Sequence, residues 1–176
     1  MATTYAIPDG RVAMAATLYT GNSATRSVSN AVNGVGFQPD FLWIKARSAA
    51  YGHVIQDSVR GVSSVTDNVL QSQSTAAEFN ANSGGGTQLC VTSFDTGGFS
   101  LGPDSYYTNF NNNGVTYVGW QWKGGGTPVS NTAGSITSSV SANTTAGFSV
   151  VTYTGTGANA TVGHGLGVAP DVVITK

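Results

Sequence analysis

Apolar and polar residues alternate with a period of two through most of the chain, and the three-and-four spacing of an amphipathic helix is almost absent. The clearest strand follows a tight corner: Gly34-Val35-Gly36-Phe37-Gln38-Pro39-Asp40 turns the chain, and Phe41-Leu42-Trp43-Ile44-Lys45 supplies aromatic and β-branched residues suited to a half-buried pleat. Before it, Thr17-Leu18-Tyr19-Thr20-Gly21 predicts a strand ending at a Gly-Asn turn, and residues 23–33 a second one through Val28 and Val32. After it, a polar loop from Arg47 to Tyr51 leads into the alternating Gly52 to Asp57. Residues 62–86 predict a long loop with at most one helical turn, begun by Val65-Thr66-Asp67-Asn68-Val69-Leu70 and broken by the glycines at 84–86. Thr87 to Phe94, a turn at Asp95-Thr96-Gly97-Gly98 and Phe99-Ser100-Leu101 predict a hairpin. Val115 to Lys123 is the last long strand of this unit, with Tyr117, Gly119, Gln121 and Lys123 on one face and Val118, Trp120 and Trp122 on the other.

The corner returns near the end as Gly165-Leu166-Gly167-Val168-Ala169-Pro170-Asp171, followed by Val172-Val173-Ile174-Thr175-Lys176. A repeat spaced this widely implies beads on a string rather than a solenoid. The expected organisation is a docking arm at 1–11 around the Pro8-Asp9-Gly10 turn, a β-sandwich unit at 12–123, a Gly-rich linker at 124–133, and the N-terminal part of a second, truncated unit at 134–176. In that last part, residues 134–140 and 147–155 predict two strands. The apolar run at 172–174 would then lack some of its partners, so either the natural polypeptide continues or neighbouring subunits cover it. Short strands, many turn residues and little helical periodicity give an all-β fold, an antiparallel, jelly-roll-like β-sandwich followed by a partial second copy of the unit.

Composition narrows the function classes. Only 9% of the residues are charged, against roughly 25% in ordinary soluble domains, while 40% are hydrophobic. That apolar content supports a folded core rather than disorder. A formal net charge of −1 supplies no basic field for phosphates, so nucleic acid is not an expected partner. No apolar run approaches the roughly 20 residues of a membrane span, and residues 1–5 lack the basic run and apolar core of a signal peptide. The single cysteine, Cys90, excludes an intrachain disulfide and reads as a small buried hydrophobe.

Candidate chemistry is sparse, and neither a cofactor nor a metal is predicted. Gly98-Phe99-Ser100-Leu101-Gly102 fits the G-x-S-x-G pattern of a hydrolase nucleophile, but Pro103-Asp104 follows where an amphipathic helix should begin, so a strand leaving a glycine turn is the expectation. His53 and His164 are the only histidines, and His164, set between glycines, is expected to make a loop contact. Asp40 and Asp171 follow proline at the two corners, where a carboxylate caps a turn. Tyr106 and Tyr107 with Asn109, Asn111 and Asn112 form an aromatic, amide-rich loop able to stack on and hydrogen-bond a sugar ring; they are the candidate glycan contact.

Several blocks in fixed order carry a resemblance: the corner from Gly36 to Lys45, Asp57-Ser58-Val59-Arg60-Gly61, Thr92 to Asp95, Gly98 to Gly102, Tyr117 to Lys123, and Gly134 to Ile136 through Val162 to Gly167. Over residues 17–176 the chain resembles a repeated β-sandwich domain of tail-fibre-like virion structural proteins from marine and cyanobacterial tailed phages. The resemblance implies a non-enzymatic component of the virion surface, foremost a tail fibre attached through its N-terminal region. A head fibre, a capsid decoration and a glycan-binding host-recognition module are the alternatives. The partners it implies are further copies of the chain, with a trimer favoured, and tail, portal-adaptor or capsid proteins. Insertion into a membrane is not among its implications.

Overall fold

Alternation of this kind commits each strand to two unlike faces, and burial of one face decides the architecture. The computed structural model describes residues 7–62, 68–80, 90–103 and 109–176. Within them the chain forms twelve strands and one 3-10 turn at Gly10–Val12, which Asp9 caps by accepting the Arg11 N–H. Strands β1 (Met14–Thr20), β9 (Thr116–Trp122), β3 (Phe41–Ala46) and β4 (His53–Asp57) make one antiparallel sheet, in the order β1-β9-β3-β4. Strands β2 (Arg26–Ser29), β8 (Gly98–Leu101) and β7 (Val91–Asp95) make a second, in the order β2-β8-β7. The two share one hydrophobic core, in which Tyr19, Leu42, Ile44, Val54 and Tyr117 meet Val28, Val91, Phe99 and Leu101. The protein is an all-β, antiparallel β-sandwich.

Within that core Tyr19 stacks on Tyr117 with ring centroids 5.0 Å apart, meets the edge of Phe99 at 6.2 Å, and donates its hydroxyl to Phe110 O. Cys90 is fully buried in the same core. Gly119 lies where Phe99 crosses the first sheet: a Cβ there would sit 3.3 Å from Phe99 Cζ, so a side chain would press the ring back by a few tenths of an ångström.

One expectation needs correction. Asn68 and Val69 do not start a helix; they form β5 (Asn68–Val69), paired with β6 (Phe79–Asn80), and Leu70 exchanges both backbone hydrogen bonds with Ile55 at the margin of β4. Tertiary pairing overrides a weak local helical preference here, because the outer edge of β4 carries backbone groups that need partners. Arg60 fastens this flap. Its guanidinium pairs with Asp57 and Glu78 and donates to the carbonyls of Asn68 and Ile55. Residues 63–67, 81–89 and 104–108, on which parts of the loop and hairpin expectations fall, lie outside the described residues.

Beyond β9, Gly125 N–H and Gly126 O both bond to the Ser141 hydroxyl, so the glycine stretch lies directly on a third sheet. That sheet is β10 (Val129–Asn131), β11 (Ser138–Asn143) and β12 (Phe148–Tyr153), antiparallel in that order. Strand β10 falls inside the stretch 124–133 expected to be a linker. Sequence pattern could not find it, since Val129-Ser130-Asn131 gains its hydrogen bonds only from β11.

Candidate functional site

The first sheet has an inner face in the core and an outer face whose composition is unusual for a surface. Tyr117, Gly119 and Gln121 of β9 are buried, so strand alternation turns Val118, Trp120 and Trp122 outward. Pairing registers align them with neighbours on the same face: Met14, Trp122 and Phe41 in one row, Ala16, Trp120, Trp43 and Ile55 in the next, Leu18, Val118, Lys45 and His53 in the third. The first aromatic row lies at one end of the sheet and the second runs across its middle.

The rings hold one another in place. Trp43 and Trp120 meet edge to face at 6.0 Å, as do Phe41 and Trp122 at 5.5 Å, and Phe148 of β12 stacks on Trp122 at 5.9 Å with an interplanar angle of 17°. Phe148 thereby covers one end of the face with the third sheet. Trp43 Nε1 donates to His53 Nδ1 at 2.8 Å, which requires a neutral imidazole at that nitrogen. Burial, reinforced by the Lys45 charge beside it, lowers the His53 pKa from its ordinary value and favours that neutral form. Among the described residues the indole N–H groups of Trp120 and Trp122 find no acceptor. At the open end Leu18 remains 61% exposed, and Met14 is exposed at the opposite end of β1, in the row of Trp122.

Chemically this is a rigid, largely apolar platform with two unused donors. Its charged side chains, Lys45 and Asp57, bond to Ala46 O and to Arg60, and the apolar rows suit a surface with apolar groups and a few acceptors. Alternation placed Trp120 and Trp122 together in the sequence; that their face is the open one, and that Trp43, His53 and Phe148 join it, depended on tertiary packing.

The predicted glycan-contact residues do not gather into one open patch among the described residues. Tyr106 and Tyr107 lie outside those residues. Asn111 is fully buried, its amide donating to Ala24 O and Gly102 O while its Oδ1 accepts the Asn22 N–H. Asn112 donates to Asn109 Oδ1, and Asn109 adopts a left-handed φ of 49°. These asparagines brace a turn against the chain at Gly21, whose N–H and C=O bond to Val115 and Gly114.

Ser100 lies within β8, opposite Ser27, with its hydroxyl 2.7 Å from Asp95 Oδ2 and 2.9 Å from Ser27 Oγ; Ser93 donates to the other Asp95 oxygen. The group bridges the three strands of the second sheet, and neither histidine is among its partners. Asp40 is buried, accepts the Ser58 hydroxyl and joins its backbone to Trp122 and Ser58, whereas Asp171 is exposed. His164 makes a loop contact, accepting the Leu166 N–H at Nδ1 and the Ser149 hydroxyl at its carbonyl. Among the described residues no cluster of three or more metal-ligating side chains forms, and no helix is long and apolar enough to cross a membrane.

Fold and face together define an antiparallel β-sandwich with an aromatic platform on the outer face of its four-stranded sheet. Residues 12–176 match the family described as a domain of unknown function, DUF7483, and the chain belongs to that family. Neither among curated proteins nor among solved structures is there a match.

Proposed function

We propose that this protein is a non-enzymatic structural component of a tailed-phage virion, foremost a tail fibre or other projecting appendage, assembled as a homo-oligomer with its N-terminal region toward the particle. The observation that carries an assembly role is the outer face of the β1-β9-β3-β4 sheet. It sets three half-buried tryptophans beside the exposed Met14 and Leu18 on a chain with only 9% charged residues. Tryptophan-rich patches of this kind concentrate binding energy when a protein partner dries them. The ordered sequence blocks that resemble tail-fibre-like virion proteins supply the setting.

The test pairs solution mass with particle imaging. Light scattering on the purified chain is expected to give a defined oligomer that Trp120→Ala weakens by at least about tenfold in association constant, corresponding to roughly 1.4 kcal/mol. Labelled antibody against the chain is expected to decorate virions at a projecting position. A monomer that never copurifies with particles would remove the proposal.

A further inference from the structure

Trp43 and His53 are joined across the outer face of the first sheet by a bond that only one protonation state permits. An indole nitrogen gives a hydrogen and accepts none, so the 2.8 Å contact from Trp43 Nε1 requires an unprotonated Nδ1 on His53. A proton taken up by the neutral imidazole goes to that nitrogen. Two N–H groups would then point at each other across 2.8 Å, and one ring has to turn away.

Such a turn starts where it disturbs most of the face. Trp43 lies in the middle row between Trp120 and Ile55, and meets Trp120 edge to face at 6.0 Å. His53 lies in the next row, opposite Lys45. The surrounding charges do nothing to hold an imidazolium. Lys45 is a like charge, its Nζ donating to Ala46 O, and the exposed Arg47 follows just past the end of β3. On β4 itself Asp57 is taken by Arg60, as is Glu78 beside the flap strand β6, while Lys176 Nζ donates to Ala76 O in the loop before it. That loop meets His53 only through Gln73 Oε1, which accepts the His53 backbone N–H, and β9 carries no charged residue. Tyr51, two residues before His53, packs against the core. Among the described residues no carboxylate pairs with His53. Burial already disfavours the charged imidazole, and drying the face against a second copy adds to that penalty.

We propose that the Trp43–His53 pair is an acid-operated release on the tryptophan face: protonation of His53 at Nδ1 turns the Trp43 indole out of its packing and separates copies of the chain joined there. This rests on the reading of that face as the contact between copies. Joined copies bind a proton at His53 more weakly than separate ones, so lowering the pH favours the separate form.

Light scattering on the full chain at about pH 7.5 and about pH 5, at one ionic strength and on either side of the histidine range, measures the association. NMR follows the Trp43 indole N–H, identified as the resonance missing from Trp43→Phe. The association constant is expected to fall at least about tenfold in acid, with the Trp43 resonance moving at the same midpoint. His53→Asn keeps a carbonyl oxygen at the place of Nδ1 but does not titrate, so the ratio between its two association constants should stay within about twofold. An oligomer equally tight at both pH values would overturn the release and leave the contact between copies standing, whereas a monomer at about pH 7.5 would overturn both. A fall in acid that His53→Asn retains would assign the titration to another group, and loss of the dispersed NMR spectrum in acid would mean unfolding; either result also overturns the release.

Discussion

Two corners with the same glycines and the same Pro-Asp pair end in opposite environments. After Asp40 the chain enters β3, where Leu42 and Ile44 are each 1% exposed between β9 and β4. After Asp171 it runs through Val172, Val173 and Ile174, each more than 70% exposed, without forming a strand. The left-handed glycine at the start of each corner is alike, so local sequence suffices for the turn. A strand needs more, because its backbone hydrogen bonds and its apolar face are both satisfied by residues distant in sequence.

The sharpest way to break this comparison is to truncate equivalent tyrosines. Tyr19→Ala removes a buried ring, its stack on Tyr117 and the hydrogen bond to Phe110 O, and is expected to cost about 3–5 kcal/mol in denaturant unfolding. Tyr153→Ala should cost less than about 1 kcal/mol. Equal costs would mean that Tyr153 is packed as tightly as Tyr19. Leu42→Ala against Val173→Ala repeats the contrast at the strand itself, with about 2–5 kcal/mol expected for the buried leucine and within about 0.5 kcal/mol for the exposed valine, read from urea midpoints.

The bracing residues sharpen it further. Asn30 is buried, and its side chain bonds to both backbone groups of Phe37 and to Gln121. Asn30→Ala is therefore expected to cost about 1–3 kcal/mol, since it leaves buried polar groups unpaired, and His164→Ala, with a partly exposed loop bond, clearly less. Thermal unfolding of the two variants side by side measures the difference.

The smallest effect concerns pH and centres on His53. Because the folded-state pKa of His53 is lowered, by burial first and by Lys45 second, the unfolded chain takes up a proton at this residue before the folded one does. Stability should be fully present above the ordinary histidine value of about 6.5, fall as pH drops through it, and level off once the folded imidazole also protonates. Protonation at Nδ1 would break the hydrogen bond from Trp43, so indole fluorescence should change in the lower part of that window. His53→Gln should abolish both effects; an unchanged profile would assign the titration elsewhere.

Much of the sandwich was legible because period-two alternation marks a strand that buries one face. Thr17 to Gly21 and Val115 to Lys123 carry that mark, Phe41 to Ile44 shows instead as an aromatic and β-branched run after a corner, and Phe99 to Leu101 as the return from a glycine turn. Asn68-Val69 and Val129-Ser130-Asn131 do not, being too short to alternate, and each becomes a strand only because a neighbour offers hydrogen bonds. The candidate site was half legible for the same reason. Trp120 and Trp122 had to share a face, but nothing local stated that Tyr117, Gly119 and Gln121 would be the side turned inward, or that Phe148 would close over Trp122.

By itself, then, the order of residues determined where this chain turns and which side chains share a face, since both follow from steric limits within a few neighbouring residues. Only tertiary structure decided which face became core, which remained a tryptophan platform, and that the segment after Asp40 became a central strand. Those outcomes depend on which distant segments arrive to share hydrogen bonds and exclude water, and no short window of sequence contains that information.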